Sequence, residues 1–83
     1  MEESFKPEGF GFKSLDEAIT FFENAKRNQF FKDPELAYFN LAQAYLLKGH
    51  LKQAREELQK GLERFPKNPT LQNLLDWVEV SYH

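Results

Sequence analysis

Few side chains in this chain could do chemistry, and they are scattered. Of the two histidines, His50 sits at a turn signal between apolar stretches and His83 is the last residue. No group of histidines and carboxylates has the spacing that metal ligands require. Neighbouring carboxylates such as Glu56 and Glu57 lie on different faces of a helix, so they cannot work together as acid and base. The chain has no cysteine, which excludes disulfides, thiolate metal sites and a thiol nucleophile. The expectation is a protein that is not an enzyme and uses no cofactor or metal.

Charge narrows the partners. The charged residues, 29% of the chain, are mixed in sign and sum to a formal net charge of -2, so there is no basic footprint for nucleic acid or an anionic membrane. Met1 to Ser4 lacks the positive start and apolar stretch of a secretory signal. The longest charge-free run, Leu36 to Leu47, is far short of the roughly 20 residues that span a bilayer. These features predict a soluble, cytoplasmic protein without a nucleic-acid or membrane partner. Aromatic residues make up 16% of the 83 positions, enough bulk for a core in a chain this short.

The elements that must position any binding surface are helical. Residues 1 to 13 set Pro7, Gly9 and Gly11 among Phe5, Phe10 and Phe12, which breaks helices and predicts a Phe-rich arm. Ser14 with Glu17 forms a capping-box pattern before Leu15, Ala18, Ile19, Phe22 and Ala25, whose 3.6-residue spacing predicts a helix over 15–28. Asp33-Pro34 is a cap followed by a proline that needs no hydrogen bond. The stripe Tyr38, Leu41, Ala42 and Tyr45 then predicts a helix over 34–48, stopped at Gly49. Leu51, Ala54, Leu58, Gly61, Leu62 and Phe65 predict a third helix over 51–65, ended by Pro66. Asn68-Pro69 repeats the start signal, and Leu71, Leu74, Leu75, Val78 and Tyr82 predict a fourth over 69–81. No segment alternates as a strand would.

The pattern repeats. Leu15, Ala18, Phe22 and Ala25 recur as Leu51, Ala54, Leu58 and Gly61, a separation of 36 residues. Between them, Tyr38, Leu41, Ala42, Tyr45, Ala54, Leu58 and Pro66 resemble the signature of the tetratricopeptide repeat. Residues 35–68 fit one such repeat without a gap, with Tyr38 where Trp is usual and Gly61 where Ala is common. The first helix resembles the second half of a preceding repeat. In the fourth, Gln72, Asp76 and Glu79 occupy positions where a continuing repeat would be apolar or small, so that helix is expected to cap the array and end it. The implied fold is all-α: antiparallel helix-turn-helix repeats in a superhelical array of four helices over 14–83, preceded by the arm at 1–13.

The resemblance also implies a site. In this family the first helix of each repeat lines a concave surface, which here places Leu36, Phe39, Gln43 and Leu46 beside Thr70, Asn73, Trp77 and Val80. Phe39, Leu46 and Trp77 fall about 100° or more from the core stripes, which suits a partner-facing role. Some members clamp a partner's terminal carboxylate, but Phe39 and Gln43 replace the Lys and Asn that would do so, and no carboxylate capture is expected. Asn40 is expected to bridge helices as a structural amide. The function expected is that of a protein-protein interaction module, an adaptor or co-chaperone-like subunit that holds a partner peptide or helix on this surface. The alternative is a self-assembling structural protein that uses the same surface, or the Phe arm, to form a homo-oligomer.

Overall fold

The computed structural model describes residues 14–82; the expected Phe-rich arm at 1–13 and His83 lie outside the described residues. Four helices follow one another: α1 (Leu15–Ala25), α2 (Pro34–Leu47), α3 (Leu51–Arg64) and α4 (Pro69–Tyr82). No strand occurs among the described residues. The expected starts are all met, because each is set by local chemistry. The Ser14 hydroxyl accepts from the Glu17 N–H at 3.1 Å, Asp33 Oδ1 from the Leu36 N–H at 3.1 Å, and Asn68 Oδ1 from the Leu71 N–H at 3.0 Å. Each bond satisfies a donor that the first helical turn leaves without an intrahelical partner.

The first helix ends three residues earlier than its expected limit at 28. Arg27 and Asn28 donate to carbonyls three residues back, tightening the last turn, and Asn28 Oδ1 accepts from the Phe30 N–H at 2.8 Å. A short polar side chain that bonds the backbone locally competes with the helix, and here it wins.

The turn between α2 and α3 depends on Gly49, whose φ of +82° is the left-handed conformation that a Cβ disfavours. Around it the Gly49 N–H donates to the Leu46 carbonyl at 2.9 Å and the His50 N–H to the Tyr45 carbonyl at 2.8 Å. These are the paired bonds of a Schellman motif. The His50 carbonyl then accepts from the Ala54 N–H at 3.1 Å, so one residue ends one helix and begins the next.

Helix α2 packs against α1 on one side and α3 on the other, while α4 lies on α3 and touches α2 only lightly. Two core clusters result. Ala18, Phe22 and Ala25 meet Ala37, Leu41 and Ala44 between α1 and α2. Tyr38, Ala42, Ala54, Leu58, Leu71 and Val78 join α2, α3 and α4. Three of the four repeated positions are buried in both copies, Ala18, Phe22 and Ala25 in α1 and Ala54, Leu58 and Gly61 in α3, while Leu15 and Leu51 are half-buried. Gly61 sits where three helices converge. A Cβ there would stand 3.1 Å from Tyr38 Cβ and Cγ and 3.1 Å from Leu71 Cδ1.

Ala42 and Ala54 have no accessible surface, so the α2–α3 contact has no room for a larger side chain. Ala54→Leu should destabilise the domain by about 1 to 3 kcal/mol through overpacking. Denaturant titration checks this, and an unchanged midpoint would mean that the two helices do not meet there.

Candidate functional site

Because α2 and α4 both pack on α3 and only lightly on each other, a groove runs between them. Near the helix starts it is a hollow of about 240 Å³ lined by residues that include Asp33, Leu36, Phe39, Asn68 and Thr70. Farther along, a second hollow of about 380 Å³ lies between Phe39, Thr70, Asn73, Leu74 and Trp77. The two stretches share Phe39 and Thr70 in their linings, so they adjoin.

Five of the expected concave residues therefore come together: Leu36, Phe39, Thr70, Asn73 and Trp77. Gln43, Leu46 and Val80 lie beyond these two stretches, continuing the same helix faces toward the C-terminal ends of α2 and α4. The residues differ in how much they are held. Phe39 and Leu46 are half-buried against the α2–α3–α4 core, so both have an intramolecular role that their helical angle alone did not suggest. Leu36, Trp77 and Val80 remain 46%, 57% and 78% exposed. Apolar side chains that stay in water beside a groove are the surface that association would cover.

Polar bonds hold the groove's walls. Asn68 Nδ2 donates to Glu35 Oε1 at 2.7 Å, tying the start of α4 to the start of α2, while the same side chain caps α4 through its oxygen. Asn68 is thus an amide that bridges helices, while Asn40, expected in that role, is half-buried on α2. Toward the other end, Arg55 Nε donates to Glu79 Oε2 at 3.0 Å and fixes α4 on α3. On the far side of α4, Gln72 and Asp76 are exposed and bond each other at 2.9 Å, a polar face where a further repeat would need an apolar one.

A family model for the tetratricopeptide repeat matches residues 10–78. The chain belongs to the tetratricopeptide repeat family. No curated protein and no solved structure matches it. Tetratricopeptide repeats generally mediate protein-protein interactions. Among the described residues no helix is long and apolar enough to cross a membrane, and no three His, Asp or Glu side chains are grouped to hold a metal.

The sequence reading missed a polar network on the opposite side of the repeat. Lys26, at the end of α1, reaches Glu57 of α3 at 2.7 Å and Glu23 at 3.1 Å. Their side chains are 9%, 7% and 27% exposed, respectively. The Tyr45 hydroxyl of α2 donates to Glu23 Oε2 at 2.8 Å, so three helices share one chain of bonds. The Lys26 ammonium also lies 5.8 Å from the centre of the Tyr38 ring. The signal was present in the sequence. Glu57 falls three residues after Ala54 and four before Gly61, inside the apolar stripe of α3. A carboxylate in that place requires a cation from another element.

Ionisation follows from this geometry. Burial alone would raise the Glu23 carboxyl, but hydrogen bonds from Tyr45 and Lys26 outweigh it and hold the group below its ordinary 4.5. Burial alone would lower Lys26, but bonds to Glu57 and Glu23 hold it above its ordinary 10.5. Burial and the bond to Glu23 push the Tyr45 hydroxyl up to about 12.

Two outcomes should follow. Glu57→Ala leaves Lys26 buried with Glu23 as its remaining close anion and should cost about 2 to 3 kcal/mol, whereas Lys26→Met with Glu57→Leu should be near neutral by denaturant midpoint. A small loss in the single variant would show the pair to be solvated. The second outcome concerns pH. Glu23, with a lowered folded pKa, contributes stability above pH 4.5 that is lost as pH falls through its folded value. Lys26 and Tyr45, both raised, contribute stability that is full below 10.5 and 10.0 and is lost as pH rises through their folded values. Thermal melts should show a plateau between these limits, with Tyr45→Phe flattening the alkaline fall. An alkaline limb identical in Tyr45→Phe would contradict the bond to Glu23.

Proposed function

We propose that the chain is an adaptor-type interaction module that seats a short helix or extended segment of a partner protein in the groove between α2 and α4. The observation that carries this reading is Trp77, which lines the groove beside Phe39 and Leu74 and yet is 57% exposed. Its ring, with the exposed side chains of Leu36 and Val80 elsewhere on the same helix faces, offers apolar area that association would cover. Thr70 and Asn73 place polar groups in the same walls, which suits recognition of a peptide backbone or polar side chain. Some groove groups are already committed within the fold. Asp33 caps α2 and Glu35 accepts from Asn68.

Trp77 is also the only tryptophan, so its emission reports on this groove alone. A peptide selected from a displayed random library against the full chain should shift that emission to the blue on binding. Trp77→Ala should weaken the peptide by about 2 kcal/mol or more, roughly 30-fold, while moving the melting temperature by less than about 5 °C. Should Trp77→Ala unfold the domain, the side chain is structural and the groove reading fails. Light scattering at several concentrations separates the partner classes, because a concentration-dependent dimer that Trp77→Ala disperses would mean that the groove takes a second copy of the chain.

A further inference from the structure

We infer that the partner segment seated between α2 and α4 is an extended, basic one: its lysine or arginine lies beside Asp33 and Glu35, and an apolar side chain three positions away meets Trp77. This rests on the seating of a partner in the groove, proposed above, and adds the chemistry of the occupant. The lysines and arginines that fall within helices, Lys52, Arg55, Lys60 and Arg64, are all on α3. The two helices that wall the groove have none. α2 carries Glu35, α4 carries Asp76 and Glu79, and Asp33 stands just before α2. Glu79 is taken by Arg55 and Asp76 bonds Gln72, whereas Asp33 and Glu35 line the hollow at the helix starts.

The bonds these two carboxylates make come from neutral donors, the Leu36 N–H to Asp33 and the Asn68 amide to Glu35, which orient a carboxylate without cancelling its charge. The neighbouring Lys32 and Lys67 are exposed, and Lys67 lines a separate hollow with Phe65 and Pro66. The starts of α2 and α4 would favour an anion at the same place, but the first-turn N–H groups of Leu36 and Leu71 already donate to Asp33 and Asn68. An acidic segment would set like charges together there, whereas a basic one is drawn in and held. The spacing of its anchors follows from α4. Thr70 borders the acidic hollow and Trp77 lines the next, seven residues on and therefore about 10 Å along the helix. Hollows of about 240 and 380 Å³ take side chains and not a whole helix, and an extended chain covers about 10 Å in three residues.

The test selects a displayed random heptapeptide library at physiological salt on the full chain and, in parallel, on Trp77→Ala. Sequences enriched on the full chain alone should carry a lysine or arginine three positions from a large apolar residue. The strongest of them, made as a synthetic peptide, should bind Asp33→Asn with Glu35→Gln about 3- to 10-fold more weakly and with a shallower salt dependence. Both replacements keep the bonds of the fold, since asparagine also caps a helix and a glutamine carbonyl still accepts from Asn68. Exchanging the peptide's cation for methionine should abolish the difference between the two chains. Should the amide variant unfold, the unaltered chain decides: binding of the basic peptide must fall with salt more steeply than binding of its methionine version, and equal slopes overturn the inference. Peptides that depend on Trp77 but lack a cation at that spacing, or that bind the folded amide variant equally well, also overturn it and leave the groove as the site. If no sequence distinguishes the full chain from Trp77→Ala, the groove reading and this inference fall together.

Discussion

Helices can approach only as closely as the side chains between them allow, and this domain is organised by small residues at the points of closest approach. Ala18 and Ala25 face Ala37 and Ala44 across the α1–α2 contact, and Ala42 faces Ala54 across the α2–α3 contact. Gly61 lets α3 come within van der Waals distance of both Tyr38 and Leu71. With the axes close, larger residues such as Phe22, Leu41 and Leu58 fill the flanks of each seam and are removed from water. In a domain this small, where the core is limited by surface-to-volume scaling, close seams extract more contact from each apolar side chain. The repeat signature is the sequence form of that geometric requirement.

Apolar seams are tolerant of sliding, since one alanine resembles another. The Tyr45–Glu23–Lys26–Glu57 network supplies what they lack, a set of directional bonds satisfied only when three helices are in one register. Buried ions cost desolvation, and a network of this kind adds little net stability compared with apolar packing. A shifted α3 would carry Glu57 away from Lys26 and leave a carboxylate in the apolar stripe without that cation. Asn68 performs a similar task at the other side of the repeat, where one amide both caps α4 and sets its distance from α2 through Glu35.

The groove is a consequence of these constraints. Because α3 draws both α2 and α4 onto itself, their remaining faces converge without closing, and side chains at every third or fourth position of each line a shared channel. Phe39 and Leu46 show the economy of a small domain. They contribute to the core with part of their surface and remain on the groove-facing side of α2 with the rest. Trp77 and Val80 contribute mainly outward.

Local rules made much of this legible from the sequence. Helix starts at Ser14, Asp33 and Asn68, the glycine turn at 49, the proline stop at 66 and the apolar stripes all act over four residues or fewer, so residue type and spacing determine them. The repeat added long-range information by pairing Ala18, Phe22 and Ala25 with Ala54, Leu58 and Gly61, and all six are buried. The early end of α1 was less legible because the apolar spacing does not show that the Phe30 N–H will donate to the Asn28 side chain and compete with the helix. Tertiary structure alone decided the partners of charges. Lys26 and Glu57 are 31 residues apart, and nothing in their separate helices specifies that they meet. It also decided how the concave residues divide between core and groove, because exposure at Phe39 or Trp77 depends on where a neighbouring helix stops, a distance that no periodicity within one helix contains.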